Sequence, residues 1–283
     1  MKLIDRELKP KGILRKPLDP DYLKLIGALD ANSIPASGPT ARQPWTETFH
    51  LLCCRGSWNQ NFFTGALHLH APNGVRPDGN WTLKGKKLLH DGLNTNTNGT
   101  LTGQAAIDRF DFEVTYLNGE LSTWKTRQAI VRHHGDHPGQ EINQTVLVKT
   151  GTLSSTSLTL QINTHKKVFS RPTGIPVRTL PDCLIECQLR SLKPDFSENI
   201  CLLEEFSVLK LNGRLYSEKS AAGMSTVVLQ SRGTLPFEFW LDENQRLIAA
   251  LQGSFGTAWI PSALTRHTHS KYIQTELERE VTF

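Results

Sequence analysis

Apolar and polar residues alternate along most of the chain from Trp45 onward, which is the pattern of a β-strand with one buried face. Runs of this kind predict strands at 46–54, 62–70, 109–117, 120–132, 141–149, 155–163, 183–192, 202–211, 214–219, 225–231, 236–242, 246–252 and 271–282. No long helical run separates them, so we expect neighbouring strands to pair antiparallel. The sequence therefore predicts an all-β fold, either an antiparallel barrel or a sandwich of two sheets.

Two Asn-Gly pairs within this pattern predict two-residue hairpin turns. Asn118-Gly119 follows the run 110–117, and Asn212-Gly213 follows the run 206–211. Both positions of such a turn need a positive φ, which Asn and Gly tolerate best, so we expect both glycines to lie in turns. The apolar residues around the two pairs also align with each other. The similarity of the two segments could come from duplicated half-barrels or from the common requirements of a hairpin.

The first part of the chain differs from the rest. Residues 1–45 are rich in proline and charge and lack strand alternation, which predicts an N-terminal arm with a short helix after Asp19-Pro20-Asp21. Residues 46–283 are then expected to form a single β domain. Within this domain, the proline- and glycine-rich stretch 71–104 predicts a long lid-like loop.

A short motif, Gly56-Ser57-Trp58, lies between the first two predicted strands. It resembles the Gly-x-Trp on the first barrel strand of calycins, the lipocalin-type ligand carriers. The resemblance covers these three residues and implies a calycin-like barrel shape.

Charge and cysteine content narrow the classes of partner. Lys and Arg number 32 against 27 for Asp and Glu, and the basic residues are scattered or form short clusters such as Lys84-Gly85-Lys86-Lys87. We expect such clusters to be solvated surface, because a nucleic-acid interface needs a denser basic stripe with aromatic residues. No apolar segment follows the initial Met-Lys-Leu-Ile-Asp-Arg, and the 5 cysteines are odd in number. These features favour a cytoplasmic protein with reduced thiols and no membrane partner, and they leave the oligomeric state open.

Histidines on the first predicted hairpin are candidate acid–base residues. If 46–54 pairs with 62–70 so that Cys54 lies opposite Phe62, then His50, His68 and His70 share one face of the sheet and the core residues share the other. Such a face either lines a cavity or meets solvent as ordinary surface. The pair His68-x-His70 could place two imidazoles in one metal sphere, with a third ligand from a neighbouring strand. A cupin-like site would also want a carboxylate shortly after His70, and residues 71–74 offer none, so we predict no metal.

A second candidate base is His133, in a segment whose glycines and proline predict a loop. Asp136 follows it closely and could orient and charge the imidazole. Two further acids, Asp111 and Glu113, share a strand face opposite a strongly apolar one, so we expect both to face water.

Ligand-binding candidates come from aromatic and cationic residues. Trp58 and Trp81 fall in predicted loops, where an indole can stack on a flat ligand, and Tyr116, Arg266 and His269 complete the set. No nucleophile elbow, phosphate loop or dinucleotide fingerprint is present in the sequence, so we predict no cofactor.

Three functions remain open from these residues. The first is a pocket-bearing β protein that acts on a small hydrophobic or aromatic molecule by cofactor-independent acid–base chemistry, as an isomerase, cyclase or lyase does. The second is a non-catalytic carrier of such a molecule. The third is a carbohydrate-binding or carbohydrate-active β-sandwich. The sequence favours a small-molecule pocket and leaves catalysis undecided.

Overall fold

The computed structural model describes residues 43–54, 61–76, 78–91, 104–134, 139–142, 146–170, 178–184, 195–219, 225–231, 234–241, 247–252, 257–264, 271–280 and 283. Residues 1–42 of the predicted arm 1–45, with its helix, lie outside these ranges, and Trp45 begins the first strand. The calycin-like motif at 56–58 lies outside them as well.

Within the described residues, one large sheet accounts for all the strands. Their bounds are β1 Trp45–Cys54, β2 Asn61–Ala71, β3 Trp81–Asp91, β4 Gln104–Leu117, β5 Glu120–His134, β6 Gln140–Glu141, β7 Leu147–Leu153, β8 Ser157–Ile162, β9 His165–Ser170, β10 Arg178–Pro181, β11 Ser197–Glu204, β12 Val208–Lys219, β13 Ser225–Ser231, β14 Thr234–Leu241, β15 Leu247–Gln252 and β16 Thr257–Pro261. A helix, α1, spans Lys271–Glu278, and two short 3-10 turns span Asp182–Leu184 and Ser262–Leu264.

The strands pair in the order β10-β11-β12-β13-β14-β15-β16-β1-β2-β3-β4-β5-β7-β8-β9, and β6 pairs with β5. Neighbours run antiparallel except for the parallel pair β10–β11. The all-β, antiparallel prediction is confirmed. One face of this curved sheet carries a continuous aromatic and aliphatic core, which we call the inner face.

The first hairpin has the register that places the histidines together. His50 pairs with Ala66, as predicted, although Cys53 and not Cys54 lies opposite Phe62. A register shift between Leu51 and Leu52, where β2 carries the extra residue Thr64, accounts for the difference. The predicted shared face of His50, His68 and His70 is therefore confirmed.

Of the two Asn-Gly pairs, only the first forms a turn. Asn118 and Gly119 have φ values of 50° and 76° between β4 and β5. Gly213 lies inside β12 opposite Ile200, so its prediction was wrong. The turn between β11 and β12 instead uses Glu205 and Phe206, with φ values of 47° and 54°. This difference removes the main argument for duplicated half-barrels.

Two further segments differ from their predictions. Strand β3 occupies Trp81–Asp91, so the central part of the predicted lid at 71–104 is sheet and not loop. The predicted strand 271–282 is helix α1. Its buried residues Tyr272, Ile273 and Glu276 have helical spacing and face the sheet, where two of them pack on Ala66, Leu88 and Ile107.

Candidate functional site: the open end of the barrel

Exposure of the inner-face residues changes along the barrel. At one end, which we call the closed end, Leu83, Val114 and Tyr116 are each 0% exposed. At the other end, which we call the open end, two rows of inward-facing residues are only partly buried. Lys87, Phe110 and Gln128 form the first row, and Leu89, Asp108 and Ile130 form the second. Strand alternation directs these side chains to the inner face, so their partial exposure shows that the inner face is less fully covered at this end than at the closed end.

The closed end is filled by aromatic packing. Trp81 stacks on Tyr116 with ring centres 3.9 Å apart and planes within 4° of parallel. Both residues are buried, and Trp81 begins β3, so the prediction that Trp81 lies in a loop was wrong. Gly85 and Gly151 leave room for this packing, since a Cβ would lie 2.2 Å from the Phe112 ring and 2.0 Å from the Trp124 ring respectively.

The open end combines an aromatic wall with a few polar groups. The Lys87 ammonium lies 5.9 Å from the centre of the Trp259 ring. Their strands, β3 and β16, are separated by β2 and β1, so this contact spans the inside of the curved sheet. The Gln128 amide donates to both carboxylate oxygens of Asp108, each at 3.1 Å. Sequence alternation alone could have identified Lys87, Asp108 and Gln128 as inward-facing polar residues.

Near this site, side-chain contacts that we call the seam join strands from opposite edges of the sheet, β7 and the turn between β11 and β12. Lys149 on β7 donates to the Ser207 hydroxyl at 2.5 Å and to the Glu205 carbonyl at 3.4 Å. Asp182 accepts the backbone N–H groups of Cys183 at 2.8 Å and Glu205 at 3.3 Å. Burial lowers the pKa of Lys149 and raises the pKa values of the Asp182 carboxyl and the Cys183 thiol.

Phe206 closes the same seam with its ring. Its ring centre lies 5.6 Å from that of Phe112, 6.0 Å from that of Phe110 and 6.4 Å from that of Trp124. The side chain is 0% exposed. The β11–β12 turn is therefore anchored in the barrel core against β4 and β5.

The predicted histidine cluster lies on the outer face of the sheet. His50 is 2% exposed, and Nδ1 of His68 and of His70 each lie 2.8 Å from a threonine hydroxyl, those of Thr48 and Thr46. Burial is the main cause that lowers the pKa of His68. The structure brings these histidines together as expected, but on the side of the sheet opposite the inner face.

The second predicted base, His133, belongs to strand β5 and is buried. Its Nε2 lies 3.2 Å from Oε1 of Glu276 on α1, and its ring packs on Tyr272 with ring centres 5.1 Å apart. Its loop placement was therefore wrong. Burial, with a smaller contribution from Arg279, lowers the pKa of His133, while Glu276 opposes this shift.

A buried charge cluster docks α1 onto the outer face, and strand alternation did not predict it. Arg109 donates to Asp111 at 2.7 Å, to Glu276 at 3.1 Å and to the Glu280 carbonyl at 3.0 Å. Asp111 is 0% exposed, so the expectation that it faces water was wrong because α1 covers this part of the sheet. Burial raises its pKa despite the opposing charge of Arg109.

Lys86 completes this docking from β3. Its ammonium donates to the carbonyls of Glu276 at 3.2 Å, of Leu277 at 2.7 Å and of Arg279. A cation at a helix C-terminus satisfies carbonyls that have no partner within the helix and interacts favourably with the helix dipole. The hydrogen bonds of the docking cluster thus fasten a helix to the sheet, which is a structural task.

Several predicted site residues fall outside the described ranges: Trp58, Asp136, Arg266 and His269. In the part of the chain that the structure describes, no group of three His, Cys, Asp or Glu side chains is placed to hold a metal ion. No helix among the described residues has both the length and the apolar character that crossing a bilayer requires.

Comparisons with known proteins support the architecture alone. No protein-family model matches the chain, and no curated protein matches it. Among solved structures, the chain is similar to a β-barrel-like protein of a domain of unknown function, DUF1849, from Brucella abortus. The two share 8% sequence identity with a TM-score of 0.50 over 79% of this chain and 98% of that one. The fold is β-barrel-like.

Proposed function

We propose that this protein binds a small molecule with a hydrophobic or aromatic body in the open end of its barrel. The observation that carries the proposal is the gradient of exposure along the inner face. Val114 and Tyr116 on β4 are completely buried, whereas Phe110 and Asp108 on the same face of the same strand are not. A barrel that is packed at one end and accessible at the other offers a concave site.

The composition of the open end suits such a ligand. Phe110, Leu89 and Trp259 supply apolar surface, and Asp108 and Gln128 supply a hydrogen-bonding pair on the next positions. Small-molecule sites in proteins are mostly apolar with a small number of polar groups that orient the ligand.

The same geometry favours binding without catalysis. A general base must lie within hydrogen-bonding reach of its substrate, and His50, His68, His70 and His133 are on the outer face, away from the inner rows. Two of these positions already contact threonine hydroxyls. We therefore propose a carrier or binding protein in preference to an isomerase, cyclase or lyase. A carbohydrate-binding sandwich is also less well supported, because it needs an exposed Trp81 and this residue is buried.

The proposal is tested with a neutral apolar fluorophore, N-phenylnaphthylamine, titrated against the full chain. Leu89→Trp fills the space at the open end, so we expect it to weaken probe binding by about tenfold, as loss of one well-packed apolar contact does. Leu117→Trp is the matched control, because Leu117 is 46% exposed at the end of β4 and faces solvent.

Two results would reject the proposal. One is the absence of saturable probe binding to the folded chain. The other is an equal affinity of the wild type and the Leu89→Trp variant, which would place bound probe elsewhere on the surface.

A further inference from the structure

Lys87 is an inward-facing cation at the open end. Its row places it between Leu67 of β2 and Phe110 of β4, and its side chain is partly buried. Among the described residues, no hydrogen-bond acceptor or carboxylate binds its ammonium, which has the face of the Trp259 ring as its neighbour. The charge of Lys87 acts on the Asp182 carboxyl, where it opposes the effect of burial on the pKa of that carboxyl, but Lys87 makes no hydrogen bond to it. A bound anion would supply the hydrogen-bond acceptor that the described residues do not.

Two buried lysines of the described residues, Lys149 and Lys86, each have oxygen acceptors for their ammonium groups. Lys149 faces inward and is held by the Ser207 hydroxyl and the Glu205 carbonyl. Lys86 faces outward and binds the carbonyls at the end of α1. Both ammonium groups have structural oxygen partners, and Lys87 differs from them in this respect.

Two acidic groups that could pair with Lys87, Asp182 and Asp108, accept hydrogen bonds from other donors. Both oxygens of Asp182 accept backbone N–H groups, at 2.8 Å and 3.3 Å, and fix the 3-10 turn and the β11–β12 turn. Asp108 accepts the Gln128 amide with both of its oxygens. No carboxylate of the described residues lies within ion-pair distance of the Lys87 ammonium. Its three donors therefore remain available on the accessible side of the barrel.

We propose that Lys87 binds the anionic group of an amphiphile whose apolar or aromatic body packs against Trp259, Phe110 and Leu89. The ligand class is an anionic amphiphile whose head group is a carboxylate, sulfonate or phosphate. This inference rests on the binding site proposed above and adds the chemistry of the ligand's head group. Trp259 holds the ammonium in place by a cation–π contact, and a charge-assisted hydrogen bond then selects the anion.

The test compares three ligands of equal chain length: octanoate, n-octanol and octylamine. Each is titrated by calorimetry into the wild type and into Lys87→Met, Lys87→Arg and Lys84→Met. We expect octanoate to bind the wild type about tenfold more tightly than octanol, the difference that one charge-assisted hydrogen bond provides. Lys87→Met should abolish this preference by weakening octanoate alone, and Lys87→Arg should retain it.

Lys84→Met is the matched control on the same strand. Lys84 faces outward, is 54% exposed and lies 3.6 Å from Glu113, so its replacement should leave the preference within about twofold of the wild type. Circular dichroism checks that each variant is folded, and Lys87→Gln serves as a second neutral variant if Lys87→Met is not.

The possible failures are distinguishable. If octanol binds as tightly as octanoate, or if the preference survives both neutral replacements of Lys87, the head-group inference is wrong and the apolar site stands. Tightest binding of octylamine would also overturn it, because the acidic groups would then select the ligand. If none of the three ligands binds and the neutral fluorophore does not bind either, the proposed function itself fails.

Discussion

Removal of the Glu276 carboxylate should weaken the attachment of α1 to the sheet and lower the free energy of unfolding substantially. Glu276 is 0% exposed, accepts a hydrogen bond from Arg109 at 3.1 Å and lies 3.2 Å from His133. Loss of one partner of a buried ion pair costs about 3–5 kcal/mol because the other charge remains buried without compensation. Arg109 keeps Asp111 at 2.7 Å, so we expect Glu276→Ala to cost about 3 kcal/mol, at the low end of that range.

Urea unfolding, followed by circular dichroism and extrapolated linearly to water, measures this cost. Glu278→Ala is the matched control, since Glu278 lies on the same helix and is exposed, and it should change the free energy of unfolding by less than about 0.5 kcal/mol. Limited proteolysis reports whether α1 detaches before the barrel unfolds, and cleavage within 271–280 should then accelerate in Glu276→Ala alone.

A double-mutant cycle with Arg109→Ala isolates the interaction itself. The two single losses should exceed the loss in the double variant by more than about 0.5 kcal/mol, because the residues share one contact. Additive losses would refute the reasoning, as would a Glu276→Ala variant within about 1 kcal/mol of the wild type, since either outcome would mean that this cluster does not hold the helix.

Two further predictions follow from backbone geometry and from burial. Gly119→Val should lower the free energy of unfolding by about 1–3 kcal/mol, measured with urea, because its φ of 76° lies in a region that β-branched residues avoid. Thr123→Val, at an exposed position of β5, is the control, and an equal loss in both variants would contradict the prediction. The pKa of His133 is lowered from 6.5 in the folded protein, so the unfolded chain binds the proton first and the free energy of unfolding should fall as the pH drops below 6.5. His133→Gln should reduce this pH dependence relative to the exposed-site control His165→Gln, and an unchanged slope would show that His133 does not contribute to it.

Local patterns predicted the sheet well because strand alternation and turn chemistry act over a few residues. Asn118-Gly119 forms its turn where expected, and the register of His50 with Ala66 is as expected. The same reasoning failed at Gly213 because a distant contact decides that hairpin. Phe206 is anchored against rings of β4 and β5, which moves the turn to Glu205–Phe206 even though neither residue favours a positive φ.

The outer docking cluster could not be predicted from strand alternation. Asp111 lies on the polar face of β4, and only its coverage by α1 makes it buried. That coverage joins Arg109 to Glu276 across 167 positions in the sequence. The segment that forms α1 was itself assigned to a strand, although Tyr272, Ile273 and Glu276 have the spacing of one helical face. One wrong secondary-structure assignment therefore hid the whole cluster.

The basic run on β3 shows how one short motif acquires three different roles. The sequence predicted a solvated cluster, and Lys84 alone is an exposed residue with a surface ion pair. Lys86 also faces outward, but it lies beneath α1 and satisfies the helix's terminal carbonyls. Lys87 follows directly and so must face inward, where nothing in the described chain supplies its ammonium with an acceptor. The Lys86 ammonium is satisfied by the protein's own carbonyls, whereas the Lys87 ammonium has no hydrogen-bond acceptor among the described residues, and that contrast is why we propose the barrel interior, and not the richer outer cluster, as the binding site.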